Sequence, residues 1–181
     1  MDTTIQSYFK DLSSTDKEKQ LSAYHAILKI TEEPVDWAYE VWENLKSDLK
    51  HKNNHRRSRA AQFLASLAIS DPENRMLTDF SDVWKVTYDE KFVTARHALQ
   101  SIWKIALAGK EQKDLVLQYL TNRFRDCVVE KNYTLTRFDI IEDLKKLYLV
   151  QPDENLKNLS LDLIESVDEP KYKKKYLDVW K

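Results

Sequence analysis

Glycine and cysteine are almost absent from this 181-residue chain, which has one of each. Phosphate-binding loops, dinucleotide-binding turns and nucleophile elbows need glycine at backbone positions that other residues enter only at a cost in strain. With Gly109 as its one glycine, the chain cannot assemble any of these motifs. The single cysteine, Cys127, excludes an internal disulfide framework.

The chain also lacks an excess of charge and any long apolar segment. Its 29 basic and 30 acidic residues leave a net charge of -1, so no global field favours nucleic acid or membrane as a partner. The longest uncharged run is the 11 residues 60–70, and a membrane helix needs about 20 apolar residues. The N-terminus has no basic stretch followed by an apolar run. We therefore expect a soluble, cytoplasmic protein without a membrane partner.

Helical periodicity runs through almost the whole sequence, with apolar residues recurring three and four positions apart. Sustained apolar–polar alternation is missing, as are Asn-Gly and Asp-Gly hairpin turns. The sequence therefore predicts an all-α protein. A capping box at 15–18 and the Asp71-Pro72 pair mark two predicted helix starts. The predicted helices cover residues 3–12, 15–31, 34–50, 54–70, 72–88, 91–108, 110–130, 135–150, 153–166 and 170–180.

Alternate helices repeat the same three apolar positions at offsets of 37, 38 and 42 residues. These positions are Ala23, Ile27 and Ile30; Ala60, Leu64 and Leu67; Ala98, Ile102 and Ile105; and Ile140, Leu144 and Leu147. A helix-breaking residue follows each set in register, at Pro34, Pro72, Gly109 and Pro152. The shared period predicts repeated helical pairs in a single domain, 1–181, in preference to an irregular bundle. The repeat units are approximately 3–31, 34–70, 72–108, 110–150 and 153–180.

The pattern resembles HEAT repeats, whose second helix has the form Arg-x-x-Ala-x-x-apolar-Leu. Arg57, Ala60, Phe63 and Leu64 fit that form. The third and fourth copies depart from it, with Ser101 and Asp143 where the apolar residue should be. The resemblance implies a right-handed α-α superhelix of about four to five helical hairpins. HEAT-like proteins are usually scaffolds or adaptors that hold a partner in a concave groove, and a similar architecture occurs in DNA alkylation-repair glycosylases.

A helical wheel of the inner helices places polar residues opposite the apolar anchors in every copy. In a stacked array these residues would form one strip along the concave face, positive over the first three repeats and negative in the fourth, at Asp139, Glu142 and Asp143. Solvent alone also explains a polar side on each helix. The residues predicted to bind a ligand on this strip are His25, Lys29, Arg59, Gln62, Arg96, His97, Gln100 and Lys104.

Residues 50–59 form the densest basic stretch, at a predicted turn between helices. Their exposed side chains could bracket phosphates. The alternative is a solvated turn whose charge is neutralised by Glu40, Glu43 and Asp48. The candidate phosphate contacts are Lys50, Lys52, Arg56 and Arg57.

The C-terminal residues 171–176 interleave lysine with tyrosine, a pattern found in platforms that bind single-stranded nucleic acid. The favoured interpretation is a capping helix with its lysines in water. In that case Tyr172, Tyr176, Leu177 and Val179 cover the last repeat.

No catalytic residue, metal site or cofactor is predicted. His51 and His55 are four residues apart, but Asn53-Asn54 interrupts the helix between them and no Cys or carboxylate stands at ligand spacing. Cys127 is interpreted as a small buried hydrophobe. Neighbouring carboxylates on a helix point apart, so no acid–base pair is assigned.

The sequence supports three hypotheses of function. The first is a monomeric, non-enzymatic scaffold that binds a protein partner along the strip. The second is a DNA-binding or DNA-repair protein similar to the HEAT-like alkylpurine glycosylases, with Trp103 bordering a lesion site. The third is a subunit of a larger helical assembly.

Overall fold

The computed structural model describes Met1–Lys181 and contains ten α-helices and no strand. None of the helices combines the length and apolar character needed to cross a membrane. The helices are α1 (Thr3–Asp11), α2 (Lys17–Ile30), α3 (Ala38–Asp48), α4 (Asn54–Leu67), α5 (Arg75–Lys85), α6 (Phe92–Leu99), α7 (Lys110–Asp126), α8 (Tyr133–Val150), α9 (Glu154–Glu165) and α10 (Pro170–Asp178).

The chain divides into two compact units, Met1–Ala98 and Leu99–Lys181. Unit 1 carries α1–α5 and nearly all of α6, and unit 2 carries α7–α10. Each has its own set of buried apolar residues.

The all-α prediction is confirmed, and each predicted helix has a counterpart. Four of them end in, or continue as, short 3-10 segments: Ala68–Ser70, Val86–Tyr88, Ile102–Leu107 and Cys127–Val129. A 3-10 helix is more tightly wound and is common where an α-helix ends. The largest difference is at residues 91–108, where α6 ends at Leu99 and the chain continues as 3-10 helix from Ile102.

Two predicted helix starts also shift. Asp16, and not Thr15, caps α2, and its carboxylate accepts hydrogen bonds from the N–H groups of Glu18 and Lys19. The fifth helix begins at Arg75 instead of residue 72 because Asn74 has a positive φ of 55°, which no right-handed helix can include. Asp71 still acts as a cap, since its side chain accepts from the N–H of Met76.

The repeated apolar positions are buried, as a stacked array requires. The four anchors Ala23, Ala60, Ala98 and Ile140 are at most 2% exposed. The other positions of the four sets are buried too, except that Ile30 is partly exposed. Equivalent positions therefore share one environment, which is compatible with a helical repeat.

Side-chain hydrogen bonds within each unit join residues about one repeat apart. In unit 1, Trp42 Nε1 donates to Asp79, 37 residues away, over 2.9 Å. In unit 2, Lys113 donates to Asp153 over 40 residues, and the hydroxyl of Tyr176 donates to the carbonyl of Thr134 over 42. Within each unit, these bonds therefore connect successive helix pairs.

Replacing the anchor Leu64 by Ala should lower the free energy of unfolding by about 2–5 kcal/mol, because it opens a cavity at a fully buried site. Urea denaturation followed by circular dichroism measures this loss. Leu21→Ala is the matched control, since Leu21 is 55% exposed. Equal losses in the two variants would contradict the assignment of Leu64 to the core.

Candidate functional site

Two adjoining cavities of unit 1 lie where the α1–α2 connection and α2 face α4. Their volumes are about 330 and 720 Å³, and they share four lining residues, Lys17, Gln20, His55 and Arg59. We call this pair of cavities the Arg59 cleft. No Asp or Glu side chain lines either cavity.

Arg59 donates hydrogen bonds to two uncharged acceptors in the wall of the cleft. Its Nη1 donates to the carbonyl oxygen of Leu12 over 2.8 Å, and its Nη2 donates to Oε1 of Gln20 over 2.9 Å. Desolvation lowers the pKa of this half-buried guanidinium, and Tyr24 opposes the shift. No carboxylate pairs with Arg59, so its positive charge remains uncompensated inside the cleft.

Helix α4 and the end of α1 position the groups that meet in the cleft. Helix α1 ends at Asp11, so the Leu12 carbonyl belongs to a helix end, where such oxygens lack an intrahelical partner. Arg59 supplies that partner from α4. His55, Arg59 and Gln62 follow the four- and three-residue spacing of one helix face and all line the cleft.

A chain of hydrogen bonds fixes the wall beside Arg59. The hydroxyl of Tyr24 donates to Oε1 of Gln62 over 2.6 Å, and Nε2 of Gln62 donates to both oxygens of Ser58 over 3.1 Å. Burial raises the pKa of Tyr24, although the bond to Gln62 and the charge of Arg59 act in the other direction. Tyr24 is therefore a neutral hydrogen-bond donor in this wall.

The remaining polar groups of the cleft are predominantly basic. Lys17 is exposed at the first turn of α2 and forms no ion pair. Three of the four histidines of the chain, His51, His55 and His97, also line the cleft. An acidic group entering the cleft would meet positive charge without competition from a lining carboxylate.

The predicted strip residues fall into both units. Arg59, Gln62 and His97 come together in the cleft. Elsewhere in unit 1, His25 is exposed and Lys29 is paired with Glu32 at 2.5 Å. Arg96 lies over the ring of Phe92 at 5.9 Å.

Some strip positions differ from the helical wheel. Gln62 is only 8% exposed, because Tyr24 and Ser58 bind both ends of its amide. Gln100 and Lys104 belong to unit 2 and lie beyond the end of α6, with Lys104 on a 3-10 segment. The wheel's 100° step does not apply there, since a 3-10 helix has three residues per turn. Gln100 donates to Asp139 over 3.0 Å.

Three of the four predicted phosphate contacts are paired with carboxylates. Arg57 forms a two-pronged pair with Asp89, at 2.6 and 2.9 Å, and these bonds raise the pKa of Arg57. Arg56 pairs with Asp48 and Lys50 with Asp82. Lys52 is exposed.

The predicted negative end of the strip lies largely in the interior of unit 2. Asp139 and Asp143, one turn apart on α8, are both fully buried, and Glu142 is partly exposed. Neither carboxylate oxygen of Asp143 has a hydrogen-bond partner. Lys146 Nζ lies 4.0 Å from one of them. Burial raises the pKa of Asp143 well above its ordinary value, and the nearby Asp139 and Glu142 add to the rise against Lys146.

The cysteine and the potential metal ligands form no evident reactive centre. Cys127 is buried, and desolvation raises the pKa of its thiol, which disfavours the reactive thiolate. No group of three or more His, Cys, Asp or Glu side chains is placed to hold a metal ion.

Sequence reasoning missed part of the cleft. Lys17, Gln20 and Tyr24 are spaced three and four residues apart on one face of α2, and this spacing is visible in the sequence. The Leu12 carbonyl and the acidic partners Asp82 and Asp89 leave no comparable signal, because they approach from distant parts of the chain.

Comparisons with known proteins show the fold alone. No protein-family model and no curated protein matches the chain. Among solved structures, it is similar to the crystal structure of an engineered protein, a Northeast Structural Genomics Consortium target. The TM-score is 0.52 at 13% identity, over 98% of this chain and 95% of that chain. Such a likeness says nothing about a ligand.

Asp143→Leu should raise the free energy of unfolding at neutral pH by about 1–3 kcal/mol, because it removes a buried carboxyl group without hydrogen bonds. Urea denaturation measures the gain. Asp162→Leu, on the exposed side of α9, is the matched control and should be nearly neutral. An Asp143→Leu protein less stable than the wild type at neutral pH would contradict the assignment.

The stability of the wild type should also fall as the pH rises above 3.8, the ordinary value for Asp, and through the higher folded-state pKa of Asp143. The reason is that the folded chain retains a proton that the unfolded chain has released. Asp143→Asn cannot titrate and should lack this part of the pH dependence. Denaturation of both proteins across that pH range tests the sign, and identical profiles would refute it.

Proposed function

We propose that this protein is a non-enzymatic, HEAT-like scaffold of stacked helical hairpins in a right-handed superhelix, and that the Arg59 cleft binds an acidic segment of a protein partner. Buried anchors at repeat spacing and hydrogen bonds that span 37–42 residues support the repeat architecture. The likeness to the engineered helical structure is in keeping with it.

The uncompensated charge of Arg59 carries the proposal for the ligand. A guanidinium has five N–H donors, and the bonds to Leu12 and Gln20 use two of them. Arginine forms its strongest pairs with carboxylates, particularly where water is partly excluded. Because the two bonds to the protein also fix its position, Arg59 is preorganised to receive a carboxylate.

Lys17 extends the basic wall toward solvent. It is exposed and unpaired, so it can attract an acidic segment before the segment reaches Arg59. The cavity volumes of about 330 and 720 Å³ suit a few side chains of an extended peptide better than a compact domain.

A protein partner is favoured over DNA because the basic stretch 50–59 is largely neutralised within the chain. Asp48, Asp82 and Asp89 pair with three of the candidate phosphate contacts. Duplex binding needs several such cations to displace counterions from the phosphates.

The function can be tested by selecting random peptides on the full-length protein. We expect peptides rich in Asp and Glu to be enriched. Lys17→Glu and Arg59→Gln should each weaken the affinity of a selected peptide by about tenfold, or ~1.4 kcal/mol, in fluorescence anisotropy. Lys19→Glu is the matched control, since Lys19 is exposed on α2 but outside the cleft. The stability of Arg59→Gln must also be checked by thermal melting, because Arg59 forms a hydrogen bond to the C-terminal end of α1.

Equal losses for Lys17→Glu and Lys19→Glu would remove the cleft as the binding site. A salt series with duplex DNA distinguishes the alternative function. Tight binding at low salt that falls steeply as salt rises, and that Lys17→Glu abolishes, would favour the DNA-binding hypothesis over the proposed one.

A further inference from the structure

A second groove lies in unit 2 between α8 and α10, with a volume of about 540 Å³. Phe138, Leu149 and Val179 form its apolar surface, and Lys145, Lys146 and Lys175 its basic surface. Leu149 is 65% exposed. We call this surface feature the α8–α10 groove.

Three lysines and two acidic residues line the groove, which leaves a small excess of positive charge. Neither Lys145 nor Lys175 forms an ion pair, and both lie over aromatic rings. Of the two acidic residues at the groove, Asp178 is already paired with Lys181. Lys146 lies 4.0 Å from Asp143, so Glu142 is the one lining carboxylate left to oppose Lys145 and Lys175.

The lysines cover the ring faces that a nucleobase would need. Lys145 Nζ lies 4.8 Å from the centroid of Trp180 and 5.8 Å from that of Tyr148, and Lys175 Nζ lies 4.5 Å from that of Phe138. Platforms for single-stranded nucleic acid stack bases on open aromatic faces. The positions of Lys145 and Lys175 therefore argue against base stacking on these rings.

Helix α10 itself is anchored in the way the sequence predicts for a capping helix. Tyr176 is fully buried and Trp180 donates to Ser160 over 2.9 Å, so α10 is fixed against the rest of unit 2. Leu177, by contrast, is 39% exposed and does not cover the last repeat as predicted. The groove thus lies between two packed helices.

We propose that the α8–α10 groove binds an acidic amphipathic helix of a partner protein. The apolar face of that helix would pack on Leu149 and Val179, and its flanking carboxylates would pair with Lys145 and Lys175. Helix-in-groove recognition combines these two features, an apolar stripe and complementary charge at its edges. The proposal does not depend on the Arg59 cleft, since every residue that carries it lies in unit 2.

The test uses the full-length chain and a labelled synthetic helix with Leu at positions i, i+3, i+4 and i+7 and Glu at the flanks. We expect saturable binding in fluorescence anisotropy, and chemical-shift changes confined to residues of α8 and α10. The Lys145→Glu/Lys175→Glu double variant should lose about tenfold or more in affinity. Replacing every Glu of the peptide by Gln should cause a comparable loss.

Lys131→Glu/Lys171→Glu is the matched control, because both lysines are exposed in unit 2, lie outside the groove and give the same change in net charge. It should change the affinity by less than about twofold. Equal losses in the two double variants, or no binding of the peptide, would overturn the proposal.

Two further outcomes would also overturn it. Tighter binding of oligothymidylate than of the peptide, lost in Lys145→Glu/Lys175→Glu, would assign the groove to single-stranded nucleic acid. A dimer in light scattering that this variant dissociates would assign it to a second copy of the chain. Loss of peptide binding at the groove with an intact Arg59 cleft would leave the proposed function standing.

Discussion

Each helix of this protein depends on burying one apolar stripe against other helices of its unit. The α-helices have 8 to 18 residues, and most isolated helices of such length are marginal in water. Stability must therefore come from packing at the repeated anchors, such as Ala60 and Ile140. Because the anchors recur at a regular spacing, the polar residues between them recur as well, and some form hydrogen bonds across successive helix pairs, as Tyr24 does with Gln62.

Local pairing decides which charges remain available for a ligand. The net charge of -1 indicates no preference for an anionic partner. In the folded chain, Asp82 and Asp89 neutralise much of the basic stretch, whereas Arg59 is bound by neutral oxygens and Lys17 by none. A nearly neutral protein thus contains a cleft with strongly basic character. The average charge of a sequence is a poor guide to a site of this size, since an ion pair acts over a few ångströms.

Asp143 departs from the apolar repeat pattern, and this departure places a carboxyl group in the interior of unit 2. It occupies a position where the HEAT-like form has an apolar residue, and the structure buries it completely. Burying a carboxyl group without hydrogen bonds lowers the free energy of unfolding, and it does so least when the group is protonated. Unit 2 thus has a titratable group in its interior. The same unit has the α8–α10 groove, with its exposed leucine and its lysines, on its surface, whereas the Arg59 cleft belongs to unit 1.

The sequence by itself determined the helical class, the approximate helix boundaries and the buried anchors, because these follow from local periodicity and from the breakers between helices. Four residues singled out from the sequence also line the cleft: Arg56, Arg59, Gln62 and His97. The tertiary structure alone decided that the Leu12 carbonyl and Gln20 hold Arg59, that aspartates distant in sequence neutralise Arg57 and Lys50, and that Asp143 is buried. Those facts depend on which side chains meet across helices, and a wheel drawn for one helix contains no information about its neighbours.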